Sequence, residues 1–310
     1  MPISRVVQML AALVTILMVA LAGAVGAQAG TARGLESRSQ LMFFNHAYGV
    51  IDRVTADAVE HSAYLREFAN FQVRTTTGTG GVTWTGRYLY GRETYFELFG
   101  VGDLPDTGYG SAGLAVSVER AGGLATVVER LRDQGVAEPV RFLQTRDFGD
   151  GVPVPWFDAV YVTDEIDAFL GWGMEYRPEY FADPRSNTEP PARPGDVGRE
   201  RYLPDTYRDR LMRDVTGVRI AITGGDLADT VPLLRAGGFA VRPVPGGGVV
   251  AHRGGTTMRL DVVPRDEVGL RRIDMSLNRS LRTRHEERIG RSTLTVGPGP
   301  RAVWTFPDVE

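Results

Sequence analysis

The stretch Leu41-Met-Phe-Phe-Asn-His-Ala-Tyr-Gly-Val-Ile-Asp52 reads as a β-strand with His46 at the centre of a largely apolar run. Later in the chain, Thr94-Tyr-Phe-Glu-Leu-Phe99 sets a lone carboxylate, Glu97, in the same surroundings. Burying an imidazole or a carboxylate in mid-strand is costly unless a partner meets it. The pair therefore marks the first place to look for a functional site. Two plainer arrangements compete with that reading. His46 and Glu97 can hydrogen-bond to each other alone, or His46 can be a core histidine satisfied by a backbone carbonyl or by Tyr48.

Outward from these strands the chain repeats one rhythm: a strand, a helix, then two or three strands. In the first unit, 43–51 is a strand, 55–70 a helical segment, and 71–76, 83–90 and 94–99 are strands. In the second, 113–119 is a strand, and Leu124, Val127, Val128 and Leu131 share one face of a helix over 123–134. Strands follow at 139–145, 156–163 and 170–176. The third unit has a strand at 217–223, a helix at 226–236 ended by Gly237-Gly238, and strands at 240–244, 249–253 and 257–263. The fourth is degraded: a strand at 270–278, a short polar helix at 281–289, and strands at 292–296 and 302–306. A unit repeated at this period outranks any single motif. Residues 183–205, with Pro190-Pro191 and Pro194-Gly195, predict a linker or a long surface loop. As a linker it divides paired modules at 30–182 from degenerate paired modules at 206–310.

Residues 1–29 stand apart. Arg5 precedes an uncharged apolar run at 6–26, and Ala27-Gln-Ala29 follows as a small-residue cleavage pattern. This predicts a secretory signal peptide cut near Ala29, against the alternative of an uncleaved anchor helix. The mature protein is then secreted or extracytoplasmic, with no membrane attachment after signal removal.

Composition removes several classes of function. With 43% hydrophobic and 24% charged residues the chain is globular. A net charge of −3 supplies no field for nucleic acid or an anionic membrane. The absence of cysteine excludes disulfides, thiolate catalysis and cysteine-bound zinc. No lysine occurs either, so Schiff-base catalysis is excluded, since arginine does not deprotonate at working pH. There is no Gly-x-Ser-x-Gly, and the glycine turns at 78–81 and 246–248 do not run from a strand into a helix with a following Lys. No nucleotide cofactor is expected.

Tandem βαβββ units carrying Phe44-Asn-His-Ala-Tyr48, Tyr88-Leu-Tyr-Gly91 and Thr94-Tyr-Phe-Glu-Leu-Phe99 resemble the vicinal oxygen chelate, or glyoxalase-like, superfamily. Within it the match looks like a bacterial family of unknown function. The resemblance implies an α+β fold in which paired modules curl into cup-shaped half-barrels around a divalent metal. It implies ligands on the first and last strands of a module, which are His46 and Glu97 in module one. Module two offers only Glu119, at the very end of its first strand, and Glu175 on its last. The implied ligand set is therefore His46, Glu97 and Glu175, which suits zinc, manganese or iron and leaves positions open for water and substrate. Tyr48, Tyr88 and Tyr90 are the candidate substrate-pocket residues, the last two sharing one face of their strand. Glu97 and Tyr88 are the candidate acid–base groups. The expected partner is a small molecule, and the oligomeric state stays open. Three functions fit: a metal-dependent isomerase or lyase, a non-catalytic extracellular binding protein, or a structural or interaction protein with a vestigial cup.

Overall fold

Apolar residues at strand and helix spacing build four modules in chain order. The computed structural model describes residues 39–309, so the signal peptide read at 1–29 lies outside the described residues. Module one comprises β1 (Met42–Ile51), α1 (Arg53–His61), α2 (Ala63–Phe68), β2 (Asn70–Gly78), β3 (Thr83–Tyr90) and β4 (Tyr95–Gly100). Its helical segment is two helices rather than one. The N–H of Ser62 closes α1 on the Val59 carbonyl, while its side chain accepts from Leu65 N–H and so caps α2. Module two comprises β5 (Ala112–Val118), α3 (Gly123–Arg132), β6 (Val140–Asp147), β7 (Val154–Tyr161) and β8 (Phe169–Tyr176). Leu124, Val127, Val128 and Leu131 are the buried stripe of α3.

The two modules close on each other. β1 runs parallel to β4 and β5 parallel to β8, while β1–β5 and β2–β6 pair antiparallel across the seams. The result is a closed eight-stranded barrel in the order β1-β4-β3-β2-β6-β7-β8-β5. Parallel neighbours need a crossover connection, which the helices supply.

After β8 the chain passes through α4 (Pro178–Ala182) and α5 (Arg199–Tyr202). This stretch, predicted as a linker or a long surface loop, lies against the barrel. Arg199 is buried and donates to Glu119 at 2.6 Å, to the Phe44 carbonyl at 2.5 Å and to Glu93 at 3.2 Å. Tyr202 stacks on Tyr176 of β8 at 4.4 Å. Residues 39–309 accordingly belong to one compact unit.

Module three follows as β9 (Met212–Ile222), α6 (Gly224–Ala236), β10 (Ala240–Pro243), β11 (Val249–Arg253) and β12 (Thr256–Val262), with β9 parallel to β12. Module four is β13 (Gly269–Leu281), β14 (His285–Ile289), β15 (Ser292–Val296) and β16 (Gly299–Thr305). The short polar helix expected at 281–289 is a strand, β14. Leu281 and Ile289 are the only apolar residues there, eight positions apart, so no helical stripe exists to bury. Alternation in Ser292, Leu294 and Val296, all buried, instead makes β15 a template for pairing with β14. Losing the crossover has a topological consequence. β13 and β16 are antiparallel where the other three modules are parallel, and the sheet β10-β11-β12-β9-β13-β16-β15-β14 stays open.

The halves are tied at β9, where Asp214 accepts from the Thr94 N–H at 2.9 Å and from the Thr94 hydroxyl. Helix α6 also packs on α3 and β8, outside the barrel.

Candidate functional site

Alternation along each strand sends His46 and Tyr48 of β1, and Tyr95, Glu97 and Phe99 of β4, toward the barrel axis. Glu97 sits between Tyr48 and Tyr88 in the β1–β4–β3 register. On β1 the pairing with β5 skips between Phe44 and His46, a bulge that brings the consecutive residues Asn45 and His46 into one cluster. Asn45 donates through its amide nitrogen to the Ser117 hydroxyl at 2.8 Å. Its carbonyl oxygen faces His46 Nδ1 at 2.8 Å and accepts from the Tyr176 hydroxyl at 3.4 Å. With the amide nitrogen committed to Ser117, Nδ1 is the donor and Nε2 keeps its lone pair. That lone pair looks toward Glu97, with Nε2 and Oε1 at 3.9 Å. The gap is too long for a hydrogen bond, so the direct pairing considered from the sequence is not made. The imidazole is held from its faces instead: Tyr95 stacks on it at 4.3 Å and Trp172 meets it edge-on at 5.2 Å.

The two side chains are only 7% and 13% exposed, and burial sets their charge. It pushes His46 down from 6.5 to about 3. It lifts Glu97 from 4.5 to about 8, against the opposing pull of the Arg74 guanidinium. At neutral pH the imidazole is uncharged and the acid mostly carries its proton. Tyr48 and Tyr88 are raised by burial first and by the Glu97 charge second.

Of the pocket candidates, Tyr88 and Tyr90 stack on each other at 5.5 Å, and Trp84 Nε1 donates to the Tyr88 hydroxyl at 3.2 Å. Tyr48 needs Gly113 opposite it on β5, where a Cβ would fall 2.2 Å from its ring.

Glu175 does not join them. On β8 the inward parity belongs to Trp172 and Tyr176, which touch His46 and Asn45, so Glu175 faces outward. There its carboxylate accepts from Gly122 N–H at 2.7 Å and Leu124 N–H at 2.9 Å, at the start of α3. The implied metal set thus loses its third member. The β5 positions facing the cup are Gly113, Ala115 and Ser117, which offer no carboxylate or imidazole. Among the described residues no group of three or more His, Cys, Asp or Glu can hold a metal ion. One nitrogen and one oxygen fall short of the three protein ligands of a catalytic zinc site.

Several residues around the cup escape the sequence reading. Asn45 could be found only by knowing of the bulge, and Tyr202 lies in a stretch that reads as a spacer. Arg74 carried a signal: on β2 it shares a face with Gln72 and Thr76, a polar stripe. Its guanidinium lies 4.6 Å over the Tyr88 ring.

No curated protein matches the chain in sequence. Solved structures that the chain resembles include a hypothetical protein from Staphylococcus aureus, at TM-score 0.44 and 11% identity over 74% of this chain and 88% of that one. The Mn(II)-bound glyoxalase from Novosphingobium aromaticivorans gives 0.38 and 8% over 85% and 81%. BphC, a halotolerant catechol dioxygenase, gives 0.40 and 10% over 87% and 88%. The glyoxalase-like architecture rests on the module topology itself: parallel outer strands, a helical crossover and closure of two modules into a barrel. Residues 44–306 match DUF5829, a family of unknown function, and the chain belongs to that family.

Proposed function

We propose that the barrel is a small-molecule site for proton-transfer chemistry of the isomerase or lyase type, with Glu97 as the proton carrier. One observation carries this reading: an acid and an imidazole lone pair, 3.9 Å apart and bonded neither to each other nor through a third charged group, enclosed by aromatic rings. Ionised Glu97 takes a proton from a carbon next to a carbonyl, and the bonding electrons move onto the carbonyl oxygen. The Tyr88 phenol, its oxygen already accepting from Trp84, keeps its own proton free to stabilise that oxygen. Return of the proton to the same or the neighbouring carbon completes an epimerisation or isomerisation. His46 Nε2 accepts a hydrogen bond from a substrate hydroxyl, its tautomer held by Asn45. A proton carrier working near pH 8 suits this role, since proton transfer is best served by a group close to the ambient pH.

Deuterium incorporation from D2O into 2-hydroxy ketones and 2-oxo acids, followed by proton NMR, tests the proposal. Wild-type protein is expected to catalyse exchange at the carbon beside the carbonyl. Glu97→Gln is expected to lower that rate by roughly 100-fold or more. Exchange at the same rate in Glu97→Gln sinks the reading. One observation favours a binding-only role: Tyr202 packs over the inner aromatics, 4.4 Å from Tyr176 and 6.0 Å from Tyr95. Such a protein returns every probe unlabelled.

We further propose that the protein works outside the cytoplasm. The support is the uncharged run at 6–26 followed by Ala27-Gln-Ala29. N-terminal sequencing of protein recovered from cell fractions, with Gly30 as the expected first residue, checks it.

A further inference from the structure

At one end of the barrel residues 185–187 and 202–204, with strands β2, β3 and β6, line an open cavity of about 260 Å³, with Arg74, Tyr90, Arg146, Tyr180, Arg185 and Tyr202 in its wall. Three features of this wall belong together. First, Arg74 and Arg146 have no carboxylate within ion-pair distance among the described residues. Arg74 lies over the Tyr88 and Tyr90 rings at 4.6 and 5.9 Å. Arg146 lies over Phe148 and Trp156 at 4.6 and 5.5 Å and donates to the Tyr180 hydroxyl at 2.7 Å. Second, the acids near the opening are already used, since Asp150 and Asp183 both bind Arg185. Third, Arg74 Nε and the Tyr90 hydroxyl are buried with no hydrogen-bond partner, although Tyr90 is only 4% exposed. Buried donors are almost always paired, so the free Arg74 Nε–H and Tyr90 hydroxyl, beside the Arg146 guanidinium that has no carboxylate partner, form a donor set suited to an anion.

We infer that this cavity is an oxyanion subsite, in which Arg74, Arg146 and Tyr90 bind the carboxylate or phosphate head of a small, one-ring ligand whose body extends toward His46 and Glu97. The inference rests on the small-molecule reading of the barrel and names the class of molecule it takes. A guanidinium binds either head group through parallel N–H bonds, and the tyrosine rings already stacked at the opening provide the apolar wall. The volume limits the ligand to roughly the size of a substituted benzoate, below the ordinary range of larger ligand pockets.

The test is calorimetric titration of the full mature chain with 4-hydroxybenzoate, phenyl phosphate and neutral 4-hydroxybenzyl alcohol. One or both anions are expected to bind at least about tenfold tighter than the alcohol, the effect of one charge-assisted bond. Which anion wins identifies the head group. Arg74→Met and Arg146→Met should each abolish the preference, and Arg74→Lys should keep part of it. Equal binding of anion and alcohol overturns the inference, as does binding of no probe or a preference unchanged in both Met variants. Should Arg74→Met fail to fold, Arg146→Met on the other strand carries the same decision. The two proposals fail separately. Anion preference retained in Glu97→Gln, with no deuterium exchange by the wild type, removes the catalytic reading and leaves the subsite.

Discussion

The N-terminal and C-terminal halves begin from the same module and end as different objects. In the first half both modules keep their helical crossover, both keep a parallel outer pair, and the sheet closes. Its interior holds Asn45, His46, Arg74 and Glu97 among aromatic rings. In the second half the fourth module has no helix, its outer pair is antiparallel, and the sheet remains open. Its fully buried side chains are mainly apolar, among them Met258, Leu260, Leu294 and Trp304. Closure is thus what allows polar groups to be enclosed. A barrel without edges can shelter a histidine and an acid between aromatic walls, whereas an open sheet must fill its buried face with hydrocarbon. One half encloses polar groups among aromatic rings, and the other packs mainly hydrocarbon.

The strongest challenge to that division is a cavity in the open sheet. Trp304 is completely buried, and its indole N–H donates to Ser292 at 2.9 Å. Trp304→Ala should cost about 3–5 kcal/mol in urea denaturation. It should leave anion binding by the folded fraction intact. A loss below about 1 kcal/mol, the range of ordinary surface changes, would show that the sheet is not where stability resides.

A somewhat smaller effect is expected where the connecting segment grips the barrel. Arg199→Met removes the buried donor shared by Glu119, Glu93 and the Phe44 carbonyl, leaving that carbonyl and two half-buried carboxylates without its guanidinium. Breaking such a buried arrangement costs about 3 kcal/mol. Because the same segment carries Tyr202, this variant should also weaken the binding of 4-hydroxybenzoate, which Trp304→Ala does not. Equal ligand affinity in both variants would mean that the segment does not shape the opening.

The interior of the barrel has its own pH signature. The pKa of Glu97 is raised on folding, so its contribution to stability is full below 4.5 and is lost as the pH rises through about 8. That of His46 is lowered, so its contribution is full above 6.5 and is lost as the pH falls through about 3. Between 4.5 and 6.5 the two slopes oppose each other. Denaturation midpoints should therefore form a plateau over that interval and decline on both sides. Glu97→Gln should remove the decline between 6.5 and 8, and His46→Asn should make the acid limb shallower. An alkaline decline that persists in Glu97→Gln means the acid is ionised in the fold at neutral pH.

The sequence made some of this plain and hid the rest for physical reasons. The modules, their order and the inward direction of His46, Glu97, Tyr88 and Tyr90 follow from strand alternation. Alternation says nothing about bulges, so the Asn45–His46 cluster stayed hidden. Residues 183–205 read as a spacer because proline and charge are shared by linkers and by loops pinned at a few side chains. A helix at 281–289 follows the rhythm of the other modules, but the local pattern there offers no apolar stripe. Glu175 lies on the strand that the resemblance marks for ligands, and parity along that same strand, with Trp172 and Tyr176 facing inward, sends it out.

That last residue gives the smallest and most discriminating prediction. Gly122, at the N-terminal cap of α3, has no side chain to satisfy the first N–H groups of the helix. Glu175 reaches across from β8 and takes two of them, at Gly122 and Leu124. A carboxylate in that position also meets the positive end of the helix dipole. Glu175→Ala should therefore behave as the loss of a helix cap, costing about 1 kcal/mol. Glu175→Gln keeps an acceptor but loses the charge, and should fall between Ala and wild type. Deuterium exchange and the preference for anionic probes should be unchanged in both. If instead Glu175→Gln matched wild type in stability but abolished exchange, the acid would belong to the chemistry. The outward-facing geometry of β8 would then have to give way to a rearranged barrel.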